Sequence, residues 1–336
     1  MKVHIQLDSA PGDGAARSRE LAQTGAGGLF TFEGPHDVFF PLVEAASSVE
    51  LDLMTNVAIA LPRSPMHLAH SANDLQLLSR GRFRLGLGSQ IKPHIEKRYS
   101  ATWSRPAARM RETVSAITAI FDAWEHGTPL NFRGEFFTHT LMPPTFNPGP
   151  NPFGRPQILM GALGPIMTRT SAAVADGLLV MPFHSERHFL ERTLPAVDAG
   201  LHESGRTREE FTIIPQVIVG VGRGGEQLDA AARGVRSLLS FYGSTPAYRP
   251  VLDIEGWGDV QPQLNALSKR GGYAEMASLI TDPMLTTLAV VGTPEECATE
   301  IRRRFGNHAT EVCCYFPGYD ADPADVASMI SALARS

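Results

Sequence analysis

Short apolar runs alternate along the chain with longer segments in which apolar residues recur at helical spacing. Helical patterns of this kind occupy residues 41–50, 66–79 and 294–305, among others. The apolar runs between them lie at residues 3–7, 28–33, 51–60, 82–88, 157–161, 177–182, 211–222 and 311–316. Strand-like runs that alternate with helical patterns predict βα units and a parallel sheet.

Eight such units predict one closed (β/α)8 barrel that spans residues 1–336 as a single domain. A barrel of this type needs about 250 residues. We assign the remaining chain to insertions in the βα loops, at about 89–104, 126–156 and 243–287. A ninth short run at 288–291 is interpreted as an extension beside these loops. The alternative architecture is a doubly wound open sheet, but DSAPGDG after the first run lacks the glycine spacing of a dinucleotide-binding turn.

Composition narrows the possible function classes. The 336 residues include 30 Lys and Arg against 35 Asp and Glu, with no basic block, which argues against a nucleic-acid-binding protein. No apolar run approaches the ~20 residues of a membrane span. The first residues are too polar for a secretory signal, and the three cysteines show no C-x-x-C spacing. We therefore expect a cytoplasmic protein.

We look for candidate catalytic and ligand-binding residues directly after the predicted strands, because the active site of a (β/α)8 barrel lies at the carboxyl-terminal ends of its strands. Glu33 and His36 follow the second run, and either side chain could exchange a proton with a ligand. A solvated loop carboxylate is the alternative for Glu33. The sequence shows no H-x-H after the first run and no third ligand beside His67 and His70, so we predict no metal site.

Two glycine-containing segments also end predicted strands. Residues 86–90 read GLGSQ, and their glycines would let a flat ring lie against the backbone or would simply allow close packing. Residues 161–165 read GALGP and run into a helical pattern, whose first N–H groups favour a phosphate. An ordinary tight βα turn is the alternative for this second segment.

Five segments, in this order, cover nearly the whole chain: GLFTFEGPHDVFFPLVEAA, TNVAIALPRSPMHLAHSANDLQLLSRGRFRLGLGSQ, RPAARMRETVSAITAIFDAW, GALGPIMTRTSAAVADGLLVMPFHS and AVVGTPEECATEIRRRFG. With them the chain resembles the luciferase-like monooxygenase superfamily, in particular its putative coenzyme F420-dependent oxidoreductases. The resemblance implies a barrel with a flavin or deazaflavin at its carboxyl-terminal mouth. It also implies a small organic substrate and a homodimer.

The resemblance also implies particular cofactor contacts. A non-proline cis peptide behind the ring corresponds to Asn56–Val57. His184 lies where the tail of the cofactor would emerge. The segment beside the ring and ribityl chain corresponds to Leu87, Gly88, Ser89 and Gln90, and the phosphate site corresponds to Gly161, Ala162, Leu163, Gly164 and Pro165.

One position departs from the family pattern. Many relatives place an acidic residue and then a histidine after the second strand. Here Glu33 fills the acidic position, Gly34 replaces the histidine, and His36 follows two residues later. Glu33 and His36 are therefore the candidate catalytic residues.

Three functions stay open at this point. The first is hydride transfer between coenzyme F420 and an unidentified organic substrate, which basic residues near the mouth favour because F420 carries an acidic tail. The second is an FMN-dependent monooxygenase that uses a separate reductase and O2. The third is a non-catalytic flavin-binding barrel.

Overall fold

The computed structural model describes residues 1–335. Its strands are β1 (Lys2–Gln6), β2 (Gly28–Thr31), β3 (Asp52–Thr55), β4 (Ala58–Ile59), β5 (Phe83–Gly88), β6 (Phe132–Arg133), β7 (Thr138–His139), β8 (Gln157–Ala162), β9 (Gly177–Val180), β10 (Thr212–Val221), β11 (Val290–Gly292) and β12 (Glu311–Tyr315).

The α-helices follow these strands, and five of those in the described part of the chain begin with a side-chain cap, including α3 and α13. Ser64 caps α3, and Thr293 with Glu296 forms a capping box at α13. The helices are α1 (Gly14–Ala22), α2 (Phe40–Ala46), α3 (Pro65–Leu78), α4 (Pro106–His126), α5 (Pro165–Val174), α6 (Glu186–His188), α7 (Leu194–Ser204), α8 (Gly225–Gly243), α9 (Arg249–Ile254), α10 (Val260–Lys269), α11 (Tyr273–Ser278), α12 (Asp282–Leu288), α13 (Pro294–Phe305) and α14 (Pro323–Ala334). Within residues 1–335, no helix has the length and apolarity to cross a bilayer.

Eight of the strands form a closed parallel barrel in the order β1, β2, β3, β5, β8, β9, β10 and β12. Strand β12 closes the barrel onto β1, with Lys2 paired to Glu311 and Ile5 paired to Cys314. The predicted (β/α)8 barrel is confirmed, and every predicted run begins within one residue of its strand.

The barrel interior is packed with side chains that alternate along the strands. Six buried residues fill its middle, namely Phe30, Met54, Leu159, Leu179, Ile214 and Cys313. Below them, at the amino-terminal end, Arg84 Nη2 lies 2.7 Å from Glu311 Oε2, and His4 Nε2 lies 2.6 Å from the same oxygen. These ion-paired side chains fill the interior at this end.

The segment expected to be a βα insertion at 126–156 instead joins α4 to β8, and so leaves the barrel at its amino-terminal end. It forms the antiparallel hairpin β6–β7. The Glu112 carboxylate on α4 accepts the backbone N–H groups of Glu135, Phe136 and Phe137 at 2.9, 2.7 and 2.6 Å. These bonds lay the hairpin along the first half of α4, which brings it back towards the mouth.

The largest insertion begins earlier than predicted. It includes α8 as well as α9 to α12, and so occupies the whole connection between β10 and β11. These helices share a second apolar cluster with members such as Leu239, Leu264 and Met284. Strand β11 pairs in parallel with the carboxyl end of β10, in agreement with the predicted loop-side extension. The insertion therefore covers part of the mouth as a packed unit.

Candidate active site

The floor of the carboxyl-terminal mouth contains Val57, which directly follows β3. The Asn56–Val57 peptide bond is cis, as the resemblance implied. A Cβ atom on Gly88 would lie 2.4 Å from Val57 Cγ2, and one on Gly161 would lie 3.0 Å from Val57 Cγ1. Both glycines are therefore needed for packing, because the Val57 side chain fills the space beside them. A ring bound at this end would rest on Val57.

A chain of buried polar side chains crosses the barrel beside this floor. Asn56 Nδ2 donates a hydrogen bond to Tyr315 Oη at 3.2 Å, and Tyr315 Oη donates to Gln216 Oε1 at 2.5 Å. Asn56 Oδ1 is buried and has no hydrogen-bond partner among the described residues. An unpaired buried acceptor is costly, so this oxygen is suited to a donor supplied by a ligand.

Gln216 and Tyr315 were not among the residues identified from the sequence. Each lies two positions after an interior residue, Ile214 or Cys313, and side chains two apart share one face of a strand. That period-two relation was the available signal, because it places both side chains inside the barrel, nearer the mouth.

Glu33 belongs to a fixed polar wall on one side of the mouth. Its Oε2 accepts from Ile59 N at 2.8 Å and from Arg63 Nη1 at 2.6 Å, and its Oε1 accepts from Tyr99 Oη at 2.8 Å. Only 6% of the side chain is exposed. Burial, together with the bond to Glu33, raises the pKa of Tyr99 to about 12 and keeps that phenol protonated. The carboxylate thus joins three separate segments of the wall.

His36 lies in the turn between β2 and α2, and its side chain is exposed. Gly34 lies in the same turn, and its carbonyl oxygen accepts a hydrogen bond from Arg98 Nη2 at 2.7 Å. Gly34 therefore contributes its carbonyl group to the polar wall.

The segment after β5 presents mainly backbone to the mouth. Leu87 is fully buried in the large core cluster between strands and helices. Ser89 and Gln90 are half-buried. Gln90 has a positive φ of 58°, and its Oε1 accepts from Ile91 N at 2.9 Å. Of these predicted contacts, Leu87 and Gly88 belong to β5 itself, and Gly88 O already accepts from Ala60 N at 2.9 Å, whereas Ser89 and Gln90 lie beyond the strand.

The predicted phosphate segment follows the neighbouring strand β8. Helix α5 begins at Pro165, with Gly164 as its N-cap, and no side chain caps this end. A Cβ atom on Gly164 would meet nothing within 4 Å. Ala162 is buried, and Leu163 packs against the cluster of the large insertion. The first N–H groups of α5 therefore face open space, as an anion site requires.

His184 does not lie in the open mouth. Its ring packs against Phe189 and Phe305, with centroid distances of 6.1 and 5.7 Å, and the residue is only 4% exposed. Burial lowers the pKa of His184 to about 4, although its Nδ1 lies 2.8 Å from Met181 O. A neutral ring in this position supports the strand end from behind.

Two tyrosines of the large insertion lie over the mouth. Tyr242 lies in the last turn of α8, and Tyr248 ends the short 3-10 turn Pro246–Tyr248 that follows. Both rings lie 6.2 Å from the ring of Phe183, centroid to centroid, and 6.3 Å from each other. The insertion between β10 and β11, residues 222–289, which we call the cover, therefore presents phenol groups beside the end of β9.

This arrangement fits a cofactor that carries a flat ring and a phosphate. Val57 offers an apolar support, Asn56 Oδ1 offers an unused acceptor, and the start of α5 offers unused donors. FMN and F420 share these two chemical parts. Residues 1–335 contain no group of three or more His, Cys, Asp or Glu side chains placed to hold a metal ion.

Comparison with known proteins identifies relatives along most of the chain. Residues 21–310 match the luciferase-like monooxygenase family. An uncharacterized protein of Mycobacterium tuberculosis is 45% identical over 305 residues, which cover 89% of this chain and 90% of that protein. A putative coenzyme F420-dependent oxidoreductase of the same species is 27% identical, over 87% of this chain and 88% of that protein.

Among solved structures, the chain is similar to the coenzyme F420-dependent tetrahydromethanopterin reductase of Methanopyrus kandleri. The TM-score is 0.79 at 17% identity, over 99% of this chain and 96% of that chain. At this level of identity the similarity shows a shared fold.

Proposed function

Because the chain belongs to the luciferase-like monooxygenase family, we propose that it is an oxidoreductase that transfers hydride between coenzyme F420 and a small organic substrate. The observation that carries the proposed cofactor site is the uncapped start of α5, which follows Gly161, where a Cβ atom would lie 3.0 Å from Val57 Cγ1. The relative named as a putative F420-dependent oxidoreductase matches most of both chains and supports this choice of cofactor.

In this proposal the backbone N–H groups of the first turn of α5 bind the cofactor phosphate. Val57 supports the ring from below, and the backbone of residues 87–90 lies along its edge. Asn56 Oδ1 accepts a hydrogen bond from the ligand. The bound deazaflavin supplies the hydride chemistry, and the protein fixes its position and electrostatic surroundings.

Proton exchange by Glu33 or His36 stays a prediction. Glu33 would act through the hydrogen bonds that tie Arg63 and Tyr99 together, and His36 would act from the exposed turn. Assembly as a cytoplasmic homodimer also stays a prediction from the resemblance.

The test is to titrate the purified protein with F420 and, in parallel, with FMN. Quenching of the intrinsic protein fluorescence measures binding in both titrations. We expect F420 to bind at least about tenfold more tightly, which corresponds to about 1.4 kcal/mol. A preference for FMN would favour a flavin monooxygenase that works with a separate reductase. Failure of both to bind would reject the proposed site.

A matched pair of variants tests the phosphate position. Gly164→Asp places a carboxylate at the N-cap of α5 without a clash, and Gly164→Asn places a neutral side chain of the same shape there. We expect the Asp variant to bind F420 at least about tenfold more weakly than the Asn variant, because the two anions repel each other. Equal affinities would remove this helix start from the site.

A further inference from the structure

The inward-facing side chains just below the mouth form a layer that consists mainly of carboxamides. In a (β/α)8 barrel such a layer contains residues from alternate strands, and side chains two positions apart on a strand face the same way. On the alternate strands β3, β8 and β10, the residues Met54, Leu159 and Ile214 lie in the apolar middle of the barrel. Two positions closer to the mouth, together with the inward-facing residue at the end of β1, the chain places Gln6, Asn56, Gly161 and Gln216.

The strand pairing puts the two glutamines of this carboxamide layer at the same height. Cys313 of β12 is paired with His4 on one side and with Gln216 on the other. Neighbouring strands of such a barrel are staggered by about one residue, so two steps around the barrel bring Gln6 level with Gln216. Only β12 separates their strands, which leaves about 10 Å between the two backbones. A small ligand between the two glutamine side chains can therefore contact both.

Both glutamines keep hydrogen-bonding atoms for a ligand. Gln216 is only 4% exposed, and its Oε1 accepts from Tyr315 Oη at 2.5 Å, but its Nε2 has no partner among the described residues. Gln6 is half-buried, and neither end of its amide makes a hydrogen bond within residues 1–335. None of these three free atoms is sealed from solvent. Because buried amides normally use their donors and acceptors, the free atoms mark a place that a ligand completes.

The carboxamide layer has no charge to offer a ligand. Its four members are uncharged, and so are Gly88, Met181 and Tyr315, which are the next inward-facing residues towards the mouth on or after β5, β9 and β12. The Glu33 carboxylate in the wall is already paired with Arg63. A carboxylate or phosphate in this layer would lose its water without gaining a counter-ion, which is costly. A neutral group with both a donor and an acceptor avoids that cost and satisfies the free amide atoms.

We infer that the substrate carries a neutral carboxamide group, which Gln6 and Gln216 bind. The carbonyl oxygen of this group accepts from Gln216 Nε2 and Gln6 Nε2, and its N–H group donates to Gln6 Oε1. The inference rests on the proposed function, since it names the substrate class for the same mouth. Val57, the proposed support of the cofactor ring, packs beside Gly88 and Gly161 on the opposite side of the barrel. Ring and substrate therefore lie side by side.

The experiment compares benzamide, benzoate and acetophenone, which have nearly the same size and shape but differ in charge and in the N–H group. Isothermal titration calorimetry measures their binding to protein saturated with F420. We expect benzamide to bind at least about tenfold more tightly than either of the other two, because benzoate brings an unpaired charge and acetophenone leaves Gln6 Oε1 without a donor. If either binds as tightly as benzamide, or if benzamide does not bind to protein that holds F420, the inference is wrong.

Gln6→Met tests the layer itself, because it removes the amide from a side chain that makes no hydrogen bond to the described residues. We expect benzamide affinity to fall at least about tenfold through the loss of two hydrogen bonds, with F420 affinity within about twofold of the parent. Gln23→Met, between α1 and β2 at the other end of the barrel, is the matched control and should change neither affinity. An equal loss of F420 affinity in Gln6→Met would assign the layer to the cofactor and overturn the inference.

Gln216→Glu tests the second glutamine. It keeps an oxygen for Tyr315 Oη and replaces the free Nε2 donor with a second oxygen, so benzamide should again bind at least about tenfold more weakly. Unchanged benzamide affinity would overturn the assignment of Gln216. If F420 does not bind to the parent protein, the proposed function fails, and the same three titrations on F420-free protein still decide whether the carboxamide layer selects a neutral amide.

Discussion

At the scale of single residues, Glu33 shows how the position of a side chain can be read from the sequence while its contacts depend on residues far along the chain. Its place after β2 was readable from the sequence. The three hydrogen-bond donors to its carboxylate come from residues 59, 63 and 99, and the sequence around Glu33 does not predict them. A nearly buried carboxylate bound to an arginine and two further donors holds its surroundings in place.

Glu33→Gln tests that role directly. The amide cannot pair with the Arg63 charge, so we expect the free energy of unfolding to fall by about 1–3 kcal/mol. Turnover should fall as the wall loosens, while F420 affinity stays close to that of the parent. Urea unfolding, turnover and cofactor titration measure the three effects.

Tyr99→Phe is the matched control, because it removes one neutral donor from the same carboxylate. We expect it to cost about 0.5–1.5 kcal/mol, less than Glu33→Gln. A Glu33→Gln protein as stable and as active as the parent would show that the wall does not depend on this charge.

At the scale of elements, the strands were predictable because fully buried parallel strands form continuous apolar runs. The bounds and positions of the insertions were harder to predict from the sequence. Helix α8 has the same amphipathic pattern as a barrel helix, and only its packing against α11 and the second apolar cluster assigns it to the cover. The return of the β6–β7 hairpin along α4 depends on Glu112, whose partners lie more than twenty residues away.

The ends of β3 and β5 fit together through one close contact, which a double-mutant cycle can measure. Gly88→Ala should destabilise the protein by about 1–3 kcal/mol, because its Cβ would overlap Val57 Cγ2. Val57→Ala removes that methyl group, so the double variant should recover part of the loss in urea unfolding. If the change in the free energy of unfolding of the double variant equalled the sum of the two single changes, the contact between Gly88 and Val57 would not couple the two sites.

At the scale of the whole molecule, burial favours the neutral form of three histidine side chains, which makes the stability of the fold depend on pH. Burial lowers the pKa of His4, and it lowers the pKa values of His184 and His188 to about 4. The unfolded chain binds protons at the ordinary histidine pKa of about 6.5. The contribution of His184 and His188 to stability is therefore complete above that pH and is lost as the pH falls towards 4, and the contribution of His4 changes in the same direction.

His184→Asn tests this linkage. The free energy of unfolding of the parent should fall between about pH 6.5 and about pH 4.5, and the variant should lose up to about 1.4 kcal/mol less per pH unit. Denaturant titrations across this range measure the slope. His202→Asn, at an exposed position, should leave it unchanged. Parallel profiles for parent and His184→Asn would show that this ring does not contribute.

The cover has a property that follows from where its two ends lie. The insertion begins after Val221, the last residue of β10, and ends before Val290, the first residue of β11, which pairs with Val219, so its two ends lie at neighbouring positions. A segment anchored in this way can be lengthened, shortened or exchanged without changing the geometry of the strands that hold it. The strands that would hold the proposed cofactor and the insertion beside the mouth therefore lie in separately replaceable parts of one chain.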